Sequence, residues 1–86
     1  VLIFFFYHFH SPSMKDFSEV LRMLRTERKV SQKVLGEQLG ISDRNIRFYE
    51  SGEHRPDFEG LLLLADYFEV SLDYLVGRTD NREINR

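Results

Sequence analysis

Cysteine is absent from all 86 residues. This excludes disulfides and thiolate metal sites and suits a reducing compartment, so the cytoplasm is the expected location. Tryptophan is missing too. The histidines are His8, His10 and His54, and His8-Phe9-His10 on its own is poor metal-ligand spacing. Ser31 and Ser42 precede helical patterns and read as caps rather than nucleophiles. The expectation is therefore no enzyme, no metal and no cofactor. No apolar run reaches the roughly 20 residues that a bilayer span needs. The most apolar stretch, VLIFFFYHF at residues 1–9, also lacks the basic flank of a signal peptide, so no membrane partner is expected. An overall basic excess is lacking as well: 12 Lys and Arg against 14 Asp and Glu give a net charge of −2. Contact with phosphate then requires local positive charge.

Such charge is present but unevenly spread. Residues 15–56 hold nine bases against seven acids, whereas residues 57–77 hold five acids (Asp57, Glu59, Asp66, Glu69, Asp73) and no base. The chain is electrically two-sided. At this length it is one small domain, burying only about 60% of the surface its unfolded form exposes. No small-molecule ligand domain is expected within these residues. Residues 1–13 form an apolar extension. Met14-Lys15 resembles a natural start, which makes the extension read-in or added sequence; the rival reading is a β-prone strand, hinged at Ser11-Pro12-Ser13, that pairs with another copy or covers a groove. Residues 14–79 are the expected folded domain, and residues 80–86 a frayed tail of mixed charge.

Helical spacing dominates the domain. Phe17, Val20, Leu21 and Leu24 form one stripe of a first helix over about 17–28, with Asp16 or Ser18 near its cap. Ser31 caps a second helix that ends at Leu39, with Val34, Leu35 and Leu39 inward and Gly40 supplying the left-handed residue that closes it. Ser42 caps a third, from Asp43 to about Ser51. At 100° per residue, Ile46, Tyr49 and Glu50 fall toward the body, and Arg44, Arg47, Phe48 and Ser51 fall on the opposite side. Two arginines flanking an exposed phenylalanine are unusual on an outer face. After Gly52 and a loop ending at Pro56, Asp57 caps a fourth helix to Phe68, with Phe58, Leu61, Leu62, Ala65 and Phe68 as its core positions. Ser71 caps a short fifth helix through Val76, stopped by Gly77. Five helices joined by short loops make a compact all-α domain.

Residues 31–51 thus read as two capped helices about a glycine turn, an arrangement that holds one helix proud of a small body. Several marks around it occur in order: Leu24-Arg25, Ser31-Gln32, Leu39-Gly40-Ile41-Ser42, Ile46, Tyr49-Glu50, Gly52, Pro56, Leu64-Ala65-Asp66-Tyr67-Phe68, Val70-Ser71-Leu72-Asp73-Tyr74-Leu75 and Gly77-Arg78-Thr79. With these marks the chain resembles the phage-repressor and Cro-like, or XRE-like, helix-turn-helix DNA-binding domains, whose fold is the five-helix lambda-repressor-like one. The resemblance implies a transcriptional regulator, a repressor, that binds double-stranded DNA as a homodimer on a palindromic operator, with residues 43–50 as recognition helix. The rival is an antitoxin-like helix-turn-helix module whose client is another protein.

Under that resemblance, Arg44 is the candidate for bidentate readout of guanine. Asp43 either accepts from cytosine N4 or favours the positive helix N-terminus. Asn45 and Arg47 are further base-readout candidates, with Arg47 equally able to meet phosphate. Phe48 departs from the family's polar or basic reader; it either touches a thymine methyl or folds back beside Arg44 or Arg47. Gln32 and the N–H groups opening the second helix resemble the family's phosphate clamp, flanked by Lys33, Ser51, His54 and Arg55. Arg25 and Glu50 are expected to pair beneath the recognition helix. Gly36 stands where the family usually has alanine, and Glu69 where it usually has glycine. Leu63, Tyr67, Tyr74 and Val76 form the expected dimer patch.

Overall fold

Helix starts leave N–H groups without intrahelical partners, and this chain supplies a side-chain oxygen at nearly every one. A computed structural model of the protein describes residues 15–84; the extension 1–13, with its hinge, His8 and His10, lies outside them. Helix α1 is Phe17–Glu27, α2 Gln32–Leu39, α3 Asp43–Ser51, α4 Phe58–Phe68 and α5 Leu72–Leu75. Ser31 Oγ accepts from Val34 N at 3.0 Å, Ser42 Oγ from Asn45 N at 3.1 Å, Asp57 Oδ1 from Gly60 N at 2.8 Å and Ser71 Oγ from Tyr74 N at 2.9 Å. At α1 the Asp16 backbone N–H donates to Glu19 Oε1 at 3.1 Å, one arm of a capping box.

The core closes where one side chain from each helix meets the others. Leu21, Leu35, Ile46, Leu64 and Leu75 are all fully buried, and Val20, Leu24, Ala65, Phe68, Val70 and Tyr74 complete the cluster. Three apolar positions differ from the expected pattern. Val34, expected inward, is exposed on α2 beside buried Leu35. On α4, Phe58 and Leu62 are exposed and Leu64 takes the core place. The cause is the run Leu61-Leu62-Leu63-Leu64, which contains no polar residue to mark the helix phase. The buried stripe runs Leu61, Leu64, Ala65, Phe68, the i, i+3, i+4, i+7 set.

The tail also differs from the frayed segment expected. Arg82 donates to both carboxylate oxygens of Glu27, at 3.0 and 2.7 Å, and its Nε donates to the Tyr74 hydroxyl at 3.2 Å. Its carbonyl accepts from Ser71 N at 2.9 Å. One arginine therefore pins the segment around residue 82 across α1 and α5. The hydrogen bond from Arg82 holds the Glu27 carboxyl below its usual value of 4.5. A carboxyl depressed in the fold contributes stability above its unfolded pKa and loses it as pH falls through the folded one. Both side chains are about half exposed, so solvent screening limits the pair to about 1 kcal/mol or less.

Two measurements follow from this architecture. Acid titration of unfolding free energy should show a steeper loss below about pH 4.5 for the wild type than for Arg82→Gln; identical curves would remove the pin. Glu69 closes α4 in the left-handed region at φ 57°, where an L-residue costs roughly 1–2 kcal/mol. Glu69→Gly should raise the unfolding free energy by a net of about 0.5–1 kcal/mol after the glycine's extra unfolded-state entropy, and the urea midpoint with it. A lower midpoint would show that the carboxylate itself is needed.

Candidate nucleic-acid interface

The turn between α2 and α3 is tight because position 36 has no side chain. A Cβ on Gly36 would lie 2.3 Å from the Ile41 carbonyl oxygen, so the turn's own backbone occupies the space a methyl group would fill. Ile41 N donates to Gly36 O at 2.9 Å, and Gly40 closes α2 at φ 71°. This brings Leu35 of α2 and Ile46 of α3 into one core and leaves the far side of α3 outward.

Behind α3 sits Glu50, a carboxylate only 4% exposed. Arg25 of α1 grips it with Nε and Nη2, the latter at 2.9 Å from Oε1, while Arg25 Nη1 reaches the Val30 carbonyl at 3.0 Å. Gln32 Nε2 donates to Glu50 Oε1 at 3.1 Å, and Arg22 Nη2 donates to the Glu50 carbonyl at 2.8 Å. The hydrogen bonds that Arg25 donates to Glu50 raise the Arg25 pKa against the opposing effect of burial. Among the described residues no buried side-chain nitrogen or oxygen lacks a partner. The cluster ties α3 to α1 and to the start of α2. Gln32, which the resemblance places on phosphate, has its amide turned inward onto Glu50.

The outer face carries Asp43, Arg44, Asn45, Arg47 and Ser51, all exposed. Arg47 Nη1 lies 3.3 Å from Asp43 Oδ2, an i,i+4 pair along the helix. Phe48 is half-buried rather than fully exposed: the Arg44 guanidinium carbon stands 5.3 Å from its ring centroid and the His54 ring 4.7 Å away. The three side chains form a stack in which the phenyl ring supports the arginine. Ser51 Oγ donates to Phe48 O at 3.1 Å and also lies 3.2 Å from Glu53 Oε1, closing the helix end. Lys33 and Arg55 are exposed. The structure thus gathers Arg44, Phe48 and His54 into one group and joins Asp43 to Arg47, while Ser51 and His54 also build the loop.

With that geometry in place, the chain can be set beside known proteins. A family model described as helix-turn-helix matches residues 21–75. The chain belongs to this helix-turn-helix family. It is 34% identical over 68 residues to the HTH-type transcriptional regulator YqaE of Bacillus subtilis, covering 79% of this chain and 59% of YqaE. It is 38% identical over 61 residues to the HTH-type transcriptional activator BcrR of Enterococcus faecalis, covering 71% and 30% of the two chains. The P22 c2 repressor, solved in complex with a synthetic operator, superposes with a TM-score of 0.71 at 32% identity over 76% of this chain and 98% of that one. The chain spans about half the length of the curated relatives it matches. Its all-α, five-helix architecture is that of the phage-repressor DNA-binding domains.

Within this helix-turn-helix chain the residues of the expected dimer patch differ in exposure. Tyr74 is buried and accepts the Arg82 bond, because its ring faces the core from the short α5. Tyr67 is half-buried: its hydroxyl donates to Gln38 Oε1 and its ring lies under Arg28 at 5.0 Å. Val76 is half-buried, which leaves Leu63 alone exposed, at 47%. Sequence reasoning missed Arg22, whose signal is its position one helical turn before Arg25 on the same side of α1.

The Glu50 cluster sets its own test. Arg25→Ala strands a buried carboxylate and should cost roughly 3–5 kcal/mol in urea unfolding. Arg25→Met combined with Glu50→Leu should cost less than Arg25→Ala alone. A single-variant loss below about 1 kcal/mol, the range of an exposed pair, would remove the cluster from this role.

Proposed function

We propose that this chain is a sequence-specific DNA-binding regulator, a repressor that reads a palindromic operator in double-stranded DNA as a homodimer. One observation carries the reading: a helix whose exposed side holds Arg44, Arg47 and the Arg44-Phe48-His54 stack, and whose buried side is gripped through Glu50 by two other helices. In the proposed complex α3 enters the major groove, N-terminal residues toward the base edges. Arg44 pairs with guanine O6 and N7, a contact worth about 1–3 kcal/mol of discrimination. The Phe48 ring edge meets a thymine methyl on a neighbouring step. Asp43 serves the helix N-terminus and orients Arg47, a role its 3.3 Å pair with Arg47 favours over acceptance from cytosine. Asn45 reads from the side.

Phosphates on either flank meet the N–H groups opening α2, with Lys33 and Arg55 as point charges and His54 and Ser51 at the loop. The acids are concentrated in residues 57–77, apart in sequence from the bases of residues 15–56, so the net charge of −2 does not by itself oppose the approach of DNA to the basic part. Repression rests on the likeness to the P22 c2 repressor; the activator BcrR, matched over 30% of its length, is the contrary relative.

Binding of variants to a duplex selected from a random pool tests the assignment. Arg44→Ala should relax preference at one base position. Arg55→Ala should weaken specific and random duplexes alike and reduce the slope of log K against log salt by about 1. Equal loss on specific and random DNA for Arg44→Ala would sink its readout role. A chain that selects no duplex would favour the protein-binding, antitoxin-like module instead.

A further inference from the structure

Arg44 is held on the outer face of α3 by a ring rather than by a carboxylate. Arg25, Arg47, Arg78 and Arg82 each lie against an acidic side chain, and Arg44 has no such partner among the described residues. Its guanidinium carbon stands 5.3 Å from the centroid of the Phe48 ring, one turn along the helix. The difference matters for a reader of bases. A carboxylate engages N–H donors that must be released before guanine can accept them, whereas a phenyl ring attracts the cation and leaves every donor available.

A ring on an open helix face supports little unless something confines it. Phe48 is only half-buried, and an i,i+4 contact alone holds two side chains weakly. The loop after α3 supplies the confinement. Gly52 takes the left-handed conformation at φ 86°, and the chain winds round one carbonyl: Phe48 O accepts from the N–H groups of Gly52, of Glu53 at 3.0 Å and of His54 at 3.3 Å. This winding returns His54 to Phe48, with the two ring centroids 4.7 Å apart. Backbone groups and Ser51 close the turn, so the exposed imidazole is not needed to hold it.

We propose that His54 is a positioning residue for base recognition. Its ring wedges Phe48, Phe48 holds Arg44, and His54 thereby sets how strictly one base position is read without touching that base. A phosphate contact from His54 would use a ring N–H; this role uses only the contact of its ring with Phe48, so an aromatic side chain lacking the N–H preserves it. The role rests on the reading above in which Arg44 meets guanine.

Affinity for the selected duplex, and for duplexes changed at the position that Arg44→Ala relaxes, tests it together with NMR of the free protein. His54→Ala should reduce discrimination at that position by about two- to tenfold, the factor carried by ordering one long side chain, and leave other positions within about twofold. His54→Phe should hold wild-type discrimination within about twofold, whatever it loses equally on all duplexes. Added to Arg44→Ala, His54→Ala should change that position no further. In the free protein, the ring-current displacement of the Arg44 side-chain protons should shrink in His54→Ala and persist in His54→Phe, with helical circular dichroism retained in both. Unchanged discrimination in His54→Ala, on a duplex that Arg44→Ala still relaxes, overturns the role and keeps the DNA reading. Equal loss at every position also overturns it and leaves His54 a phosphate contact. Loss of discrimination in His54→Phe, or Arg44 proton shifts that His54→Ala leaves in place, overturns the wedge itself. A chain that selects no duplex discards the DNA reading and this role with it.

Discussion

A buried carboxylate with three donors on it governs the rest of this molecule. Glu50 lies on the inner side of α3, and a charge there would cost several kcal/mol without compensation. Compensation comes from Arg25 on α1 and Gln32 at the start of α2, with Arg22 adding a bond to the backbone carbonyl of the same residue. None of these groups can be satisfied unless α3 lies in one orientation over α1 and α2. The hydrophobic contacts of Ile46 and Leu35 allow sliding and rolling; the carboxylate does not. A pair of this kind adds little net stability over a well-packed apolar substitute, and its value lies in geometry. The outward set of Arg44, Arg47 and Phe48 inherits that geometry, so the direction in which this helix presents its side chains is decided from behind.

Much of this was legible in residue spacing because the deciding signals are local. Ser31, Ser42, Asp57 and Ser71 are N-caps, and each precedes its helix by one residue in the sequence as in the structure. Glycine at 40 and 52 marks the left-handed closures of α2 and α3. What could not be read depends on longer-range partners. Four consecutive leucines hide the phase of α4, so spacing alone turns Phe58 and Leu62 inward and passes over Leu64. Arg82 looks like any tail arginine until Glu27, 55 residues away, is beside it. Tyr67 and Tyr74 look like surface aromatics at the level of pattern, yet Gln38 and Arg82 claim their hydroxyls. The outer face of α3 was readable in identity but not in arrangement: that His54 would fold back onto Phe48 has no periodic signature.

The arrangement of that face bears on how it would read DNA. Arg44 is not a loose side chain waiting for guanine; it rests on the Phe48 ring, which His54 supports from another side. Holding a long cation in place before contact reduces the rotamer freedom it must surrender on binding. The same economy applies to Arg47, steered by Asp43 one turn earlier. In this account the reader is pre-shaped twice, once by the Glu50 cluster that orients the helix and once by short contacts along its exposed side.

Selection of duplexes from a random pool by the full chain, followed by affinity against salt on the winner and on a scrambled control, tests the central claim most directly. The account predicts enrichment of a palindrome with half-sites about one helical turn apart and a steep fall of log K with log salt. Enrichment of no common sequence, with equal affinity for winner and scrambled duplex, would contradict it.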